Sequence, residues 1–147
     1  MASARTDWRS TGSTAYASST FLALSSAYAD LGQFDEAQRY IAKAFTAVET
    51  TKETWCEAEV LRTAGEIALM SHEDAAAESY FERALEVARE QQAKSWELRA
   101  ATSLARLWRD QGKAQQAREL LAPVYGWFTE GFDTRDLKEA KALLNEL

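Results

Sequence analysis

The fold is decided by residues 61–84, which read LRTAGEIALMSHEDAAAESYFERA. Small and apolar residues recur there every three or four positions, first ahead of residues 71–74 and again behind them. They are Leu61, Ala64, Gly65 and Ala68, then Ala77, Phe81 and Ala84. This spacing indicates one buried face on each of two helices. The stretch therefore predicts a helical hairpin that turns at residues 71–74.

The same pattern recurs in both directions at a step of 40 residues. Gly32, His72 and Gly112 mark successive turns at this step. Four further sets keep it, namely Leu24, Ala64 and Leu104; Ala37, Ala77 and Ala117; Ile41, Phe81 and Leu121; Ala44, Ala84 and Val124. Such a self-match is typical of stacked helical hairpins. We expect an all-α solenoid of three antiparallel hairpins, over residues 15–50, 53–91 and 94–130, followed by a capping helix over 134–147.

The ends of the chain and of its helices carry further signals. Residues 1–14 are small and polar, as in a flexible arm or the tail of an upstream repeat, which leaves residues 15–147 as one repeat domain. The first helix is expected to bury Tyr16, Phe21, Leu24, Ser25 and Tyr28. Thr51 is a candidate N-cap for the third helix, and Ser71 with Asp74 resembles a capping box for the fourth.

Composition narrows the class of protein. The 147 residues carry a net charge of −6, which disfavours general binding to nucleic acid or anionic membranes. The single cysteine, Cys56, excludes an internal disulfide and suits a reducing compartment. Neither a membrane-spanning run nor a secretion signal is visible. We therefore expect a cytoplasmic protein.

The predicted hairpins resemble tetratricopeptide repeats, in which a large residue, then Leu-Gly, then Tyr follow one another on the first helix, and Ala, an aromatic and Ala follow on the second. The matching residues are Phe21, Leu24, Ser25, Tyr28, Gly32, Phe34, Ala37, Ile41 and Ala44; Leu61, Ala64, Gly65, Ala68, Ala77, Phe81 and Ala84; Leu104, Ala105, Trp108, Gly112, Ala117 and Leu121. His72 and Val124 depart from the pattern, and the step exceeds the usual ~34 residues, as in the long-repeat variants of bacterial signalling proteins.

A second resemblance covers residues 96–147. Together with the preceding serine, these residues read SWELRAATSLARLWRDQGKAQQARELLAPVYGWFTEGFDTRDLKEAKALLNEL. They are similar to the C-terminal end of bacterial fusion proteins in which an adenylate/guanylate cyclase domain and an AAA-type ATPase precede a repeat array. This resemblance implies that the chain is the last part of a larger signalling polypeptide. It implies no catalytic residue within these residues.

The sequence offers no constellation for catalysis. His72 and Cys56 are the only strong metal or nucleophile candidates, and a zinc site needs about four convergent ligands. The chain has no phosphate-binding loop, no dinucleotide-binding glycine motif and no H-E-x-x-H pair. Its carboxylates recur on polar helix faces, where solvation is expected. We therefore expect no enzyme activity, no cofactor and no metal.

One polar stripe on the first helices of hairpins two and three is a candidate binding surface. It comprises Arg62, Glu66, Arg99, Thr102, Arg106 and Arg109. First helices line the groove of tetratricopeptide arrays, so these side chains could hold a carboxylate of an acidic peptide or protein partner. The alternative is a solvated face with weak Arg62–Glu66 and Arg106–Asp110 pairs.

The sequence thus predicts a non-catalytic interaction or regulatory module. Its expected partners are a protein or peptide, other domains of the same polypeptide, or a second copy, and neither nucleic acid nor membrane. The alternative is a structural array terminus, or a homodimerisation module that pairs through the face of Tyr16 and Phe21, without a groove ligand.

Overall fold

The computed structural model describes residues 17–52 and 54–147, so residues 1–14 and Tyr16, with the predictions made for them, lie outside it. Within the described ranges the chain forms α-helices and no strand. The helices are α1 (Ala17–Asp30), α2 (Phe34–Thr51), α3 (Glu57–Met70), α4 (Asp74–Glu90), α5 (Lys94–Asp110), α6 (Ala114–Gly126) and α7 (Arg135–Glu146).

The helices stack as a solenoid. The pairs α1/α2, α3/α4 and α5/α6 are antiparallel hairpins, and each second helix also packs on the next first helix. The backbones of consecutive first helices (α1, α3, α5 and α7) approach one another, whereas those of the described second helices stay farther apart. The array therefore curves with its first helices on the inside. The prediction of an all-α solenoid with three hairpins and a terminal helix is confirmed.

Each hairpin turns through the same backbone geometry. Gly32, His72 and Gly112 occupy the left-handed region with φ of 78°, 61° and 79°. The N–H of the following residue then donates to a carbonyl five residues back, at 2.9 Å for Gln33 to Tyr28 and at 2.8 Å in the two later turns. These bonds satisfy carbonyls at the end of each first helix. The turns are thus closed by the backbone.

Both predicted side-chain caps are wrong. The residue preceding α4 is Glu73, and no side-chain bond caps that helix. Thr51 is the last residue of α2, where its hydroxyl donates to the carbonyl of Ala47 at 2.7 Å. In the turn at Ser71, the backbone N–H groups of Ser71, His72 and Glu73 donate to carbonyls at the end of α3.

The core forms where small residues let helices cross. Ala37, Ala77 and Ala117 are fully buried at equivalent positions of the three hairpins. Leu24 differs from the prediction, because it is 36% exposed. Its counterparts Ala64 and Leu104 are buried against the preceding hairpin. No described helix occupies that position beside hairpin one, so Leu24 faces outward.

Helix α7 occupies the place of a fourth first helix. It begins at Arg135, about one repeat step after α5 begins at Lys94. It buries Leu137, Ala140 and Leu143 against the array. Its opposite face exposes Lys138, Lys141, Ala142 and Asn145. An apolar inner face and a polar outer face are what a helix at the end of a solenoid needs.

Candidate functional site

A cavity of about 280 Å³ lies among three first helices, α3, α5 and α7. Four of the six residues predicted for the binding surface line it, namely Arg62, Arg99, Thr102 and Arg106. Ser103, Arg135, Asp136 and Glu139 complete the lining. The stripe predicted on α3 and α5 therefore faces a third helix, which closes one side of the site.

Arg62 and Arg99 share a carboxylate at the base of the site. Arg62 Nε donates to Glu59 at 2.7 Å, and the Arg99 guanidinium forms an ion pair with the same carboxylate. Glu59 is only 8% exposed, so its charge depends on these two partners. Burial would lower the pKa of Arg62, but the hydrogen bond with Glu59 and the charges of nearby carboxylates outweigh it and raise that pKa. This cluster is a structural element of the groove.

Glu66 lies beside the cavity and stabilises its wall. Its carboxylate accepts a hydrogen bond from Ser103 Oγ at 2.9 Å and lies 3.5 Å from Arg62 Nη1. The predicted Arg62–Glu66 pair is therefore present. Thr102 donates to the carbonyl of Leu98 at 2.7 Å, so its hydroxyl hydrogen is used within α5. Both residues hold the site in shape.

Arg109 lies apart from the cavity. It pairs with Asp110 at 3.0 Å and with Glu146 at the end of α7. The hydrogen bond with Asp110 raises the pKa of Arg109, and partial desolvation of the guanidinium reduces this shift. The predicted Arg106–Asp110 pair does not form, and Asp110 pairs with Arg109 instead.

Arg106 is the cavity arginine that differs from the others. Arg62, Arg99 and Arg135 each pair with at least one carboxylate. Arg106 lines the cavity and, among residues 17–52 and 54–147, makes no hydrogen bond or ion pair. Its guanidinium therefore offers its N–H groups to a ligand.

The contribution of α7 was missed by the sequence prediction. Arg135 Nε donates to Glu139 at 2.8 Å, and Asp136 lies 3.6 Å from Arg99 Nε. The pKa of Glu139 is lowered, chiefly by the hydrogen bond from Arg135. Desolvation opposes this shift, and the positive charges of Arg106 and Arg99 add to it. The repeat step was the available signal, because Glu59, Arg99 and Glu139 are spaced by 40 residues, as are Glu66, Arg106 and Glu146. Charge alternates along both rows.

The two candidate reactive residues lie away from this cavity. Cys56 is buried, with its Sγ 3.0 Å from Ser18 Oγ, and His72 is exposed in the turn between α3 and α4. Among the residues that the structure describes, no three histidine, cysteine or carboxylate side chains are grouped as metal ligands would be. None of the described helices combines the length and apolarity required to cross a bilayer.

Curved stacking of hairpins around a lined inner groove defines a helical-repeat protein. The family model of the tetratricopeptide repeat matches residues 16–90, which is more than half of the chain. The chain belongs to the tetratricopeptide repeat family. Tetratricopeptide repeats generally mediate protein–protein interaction and are typically non-enzymatic. A search of curated proteins gives no match.

Proposed function

We propose that this chain is a non-catalytic interaction module that binds an acidic peptide or protein segment between α3, α5 and α7. The supporting observation is Arg106, which has no hydrogen bond or ion pair among the described residues, whereas the other three cavity arginines are paired. A planar guanidinium presents its donors in a fork that matches a carboxylate and forms charge-assisted, bidentate hydrogen bonds. The ligand group that suits Arg106 is therefore a carboxylate.

The charge balance of the site favours a single carboxylate over a polyanion. The four arginines of the cavity are accompanied by four carboxylates, those of Glu59, Glu66, Asp136 and Glu139. Together with the net charge of −6, this balance gives no extended positive surface for a phosphate backbone. A protein partner with an acidic side chain fits the site better than nucleic acid.

The proposal is tested by substituting Arg106 alone, since Arg99 and Arg109 already stabilise the fold through ion pairs. Tagged wild type, Arg106→Ala and Arg83→Ala are used to capture proteins from a bacterial lysate, and the captured proteins are quantified by mass spectrometry. Arg83 is an exposed arginine on the second helix α4, outside the cavity, and serves as the matched control.

We expect a set of proteins to be recovered by wild type and by Arg83→Ala and to be depleted with Arg106→Ala. Recovery should also fall with added salt, because a carboxylate contact near the surface is screened. Equal recovery with all three baits would remove the groove from the function.

We further propose that the chain is the C-terminal part of a larger bacterial signalling protein with cyclase and ATPase domains, and that it acts in the cytoplasm. The support is the sequence similarity of residues 96–147 and, for the compartment, the single free cysteine. The polar outer face of α7 agrees with a position at the end of an array. Sequencing the gene upstream tests the parent, and a reading frame without those domains would contradict it.

A further inference from the structure

The side of α7 that faces away from the arginine cavity forms an open cleft of about 660 Å³ with the end of α6 and the segment that follows it. We call it the α7 outer cleft, and it is lined by Tyr125, Phe132, Lys138, Lys141, Ala142 and Asn145. The four α7 residues lie three and four positions apart, so they share one side of the helix. The cleft is separate from the cavity, which α7 closes with Asp136 and Glu139.

The repeat shows that a second helix covers this side of the earlier first helices. Steps of 40 residues lead back from Asn145 to Ala105 and Gly65, and both of these residues are buried. A Cβ on Gly65 would meet Phe81 of the second helix α4. The counterparts of Lys138 and Lys141 are buried as well, namely Ala58 and Leu61 in α3, and Leu98 and Ala101 in α5. The α7 outer cleft thus has the position in which each earlier hairpin holds its second helix.

The residues of the cleft do not suit an ordinary second helix of this array. The second helices present an alanine and a large apolar residue to their first helix, as α4 does with Ala77 and Phe81. Such a helix would bury the ammonium groups of Lys138 and Lys141 without a partner, which is strongly unfavourable. The cleft therefore needs an occupant that brings hydrogen-bond acceptors for both lysines.

The two lysines are available to such an occupant. The carboxylates of α7 pair with arginines of α5 and of α7 itself. Among residues 17–52 and 54–147, neither Lys138 nor Lys141 makes a hydrogen bond or an ion pair. Their like charges lie three residues apart on one side of a helix, where they repel each other. Carboxylates placed opposite them would remove this repulsion.

Aromatic rings beside the lysines add an apolar contact. The ring centroids of Tyr125 and Phe132 lie 5.9 Å apart, and their planes are inclined by 51°. Phe132 is 46% exposed, which is unusual for a large apolar side chain at an edge of the array. The occupant that suits the cleft therefore combines carboxylates with a large apolar residue.

We propose that the α7 outer cleft binds an acidic amphipathic helix of a protein partner, in the position that a second helix has in the earlier hairpins. A helix lying along α7 sets carboxylates three and four residues apart opposite Lys138 and Lys141, and an apolar residue on the same side contacts the two rings. Opposite charges across such an interface fix its register. Two lysines in a chain with a net charge of −6 are too few to hold a phosphate backbone.

The test is carbodiimide cross-linking of the full chain in a bacterial lysate. This reagent joins a lysine amine directly to a carboxylate in contact with it, so mass spectrometry of the products identifies the partner segment. That segment is then synthesised with a fluorescent label, and its binding to wild type, Lys138→Glu, Lys141→Glu and Lys52→Glu is measured by fluorescence anisotropy. Lys52 is an exposed lysine outside the cleft and serves as the matched control. Circular dichroism establishes that the variants are folded.

We expect Lys138 or Lys141 to be joined to Asp or Glu of a segment with apolar residues at helical spacing, and the labelled peptide to gain helix when bound. Lys138→Glu and Lys141→Glu should each raise its Kd at least about 10-fold, because attraction becomes repulsion. Lys52→Glu should leave the Kd unchanged. Arg106→Ala should also leave it unchanged, which separates this cleft from the arginine cavity.

Cross-linking products that include neither lysine would overturn the proposal. A peptide that binds Lys138→Glu and Lys141→Glu as tightly as wild type would overturn it as well. Vesicles containing anionic lipid form a further arm of the experiment. If they retain the chain through these lysines and no protein is cross-linked, the cleft contacts a membrane surface and the proposed helix is wrong.

Discussion

Gly65 and Phe81 fit each other across the contact between α3 and α4. A Cβ atom on Gly65 would lie 2.5 Å from Phe81 Cε1, closer than any real Cβ contact. The counterparts in hairpin three are Ala105 and Leu121, which pair a larger helix residue with a smaller partner. Hairpin one pairs Ser25 with Ile41, and the Ser25 hydroxyl donates to the carbonyl of Ala37 at 2.7 Å. Each hairpin thus fills the same space with a different division of volume.

This relationship predicts that Gly65→Ala destabilises the fold although alanine favours helix. The new methyl group overlaps a fully buried ring, and overpacking of this kind costs about 1–3 kcal/mol. Chemical denaturation of the purified chain measures the loss. Gly126→Ala at the last residue of α6 is the control, because a Cβ there meets open space, and we expect no loss of stability.

The pair can be tested further with a double-mutant cycle. Phe81→Leu alone leaves a cavity and should cost about 1 kcal/mol or more. Gly65→Ala with Phe81→Leu recreates the Ala105–Leu121 pair of hairpin three. The double variant should therefore lose at least ~1 kcal/mol less in the free energy of unfolding than the two single variants lose together. Strictly additive losses would contradict the proposed fit.

The fold was predictable because the same residue types recur at a fixed step along the chain. The 40-residue recurrence of Ala37, Ala77 and Ala117 specifies the same crossing three times, and one such crossing dictates the packing of the next. The cap expected from Ser71 was not predictable, since the backbone at His72 in the left-handed region closes that turn without a side chain, and Glu73 precedes α4. Local side-chain signals compete with that backbone geometry.

Only part of the candidate site was predictable, namely the positions on α5 and not their partners on other helices. Helical spacing was enough to place Arg99, Thr102 and Arg106 on one face of α5. The partners that neutralise Arg99 lie on α3 and α7, and the choice of partner depends on how three helices approach in space. The general expectation of solvated carboxylates fails for Glu59, because a position on a polar helix face does not show that two arginines cover it.

The turn between α3 and α4 should be stabilised by His72→Gly. His72 adopts φ of 61°, a conformation that costs a residue with a Cβ about 1–2 kcal/mol and costs glycine little. The flexibility that glycine adds to the unfolded chain offsets part of this gain, so we expect roughly 1 kcal/mol and a rise in Tm of about 2–4 °C.

Differential scanning calorimetry of His72→Gly measures this shift. The reverse change, Gly112→Ala in the equivalent turn, should destabilise by a similar amount, because a Cβ there has open space and the cost is confined to the backbone. If His72→Gly lowers the Tm, the imidazole makes a contribution to the turn that outweighs its backbone strain.

The buried carboxylate of Glu59 should contribute more to the free energy of unfolding than a surface ion pair does. Glu59→Gln keeps the shape of the side chain but removes the charge that Arg62 and Arg99 share. We expect a loss of roughly 2 kcal/mol in the free energy of unfolding, since two guanidinium groups lose their common partner.

The control for Glu59 is Glu36→Gln, which breaks the Arg39–Glu36 pair of 2.8 Å on the surface of α2. Exposed pairs contribute about 0–1 kcal/mol, so this change should have little effect. Equal losses for the two variants in urea titrations would show that burial adds nothing to the contribution of Glu59.

Helix α7 should lose stability in acid through Glu139, whose main partner Arg135 lies in the same helix. Its folded-state pKa lies below the ordinary carboxyl value of 4.5, chiefly because Arg135 donates a hydrogen bond to it. A carboxylate whose pKa is lowered by folding adds stability that is fully present above pH 4.5 and is lost as the pH falls through the folded-state pKa.

Thermal unfolding of wild type and Glu139→Gln from neutral pH downward should therefore show a Tm difference that is constant above about pH 5 and disappears in acid. Arg135→Gln is the matched change on the other partner, and it should show the same pH dependence, because it removes the same bond. A Tm difference for Glu139→Gln that persists unchanged at the lowest pH would mean that the carboxylate does not act through its charge.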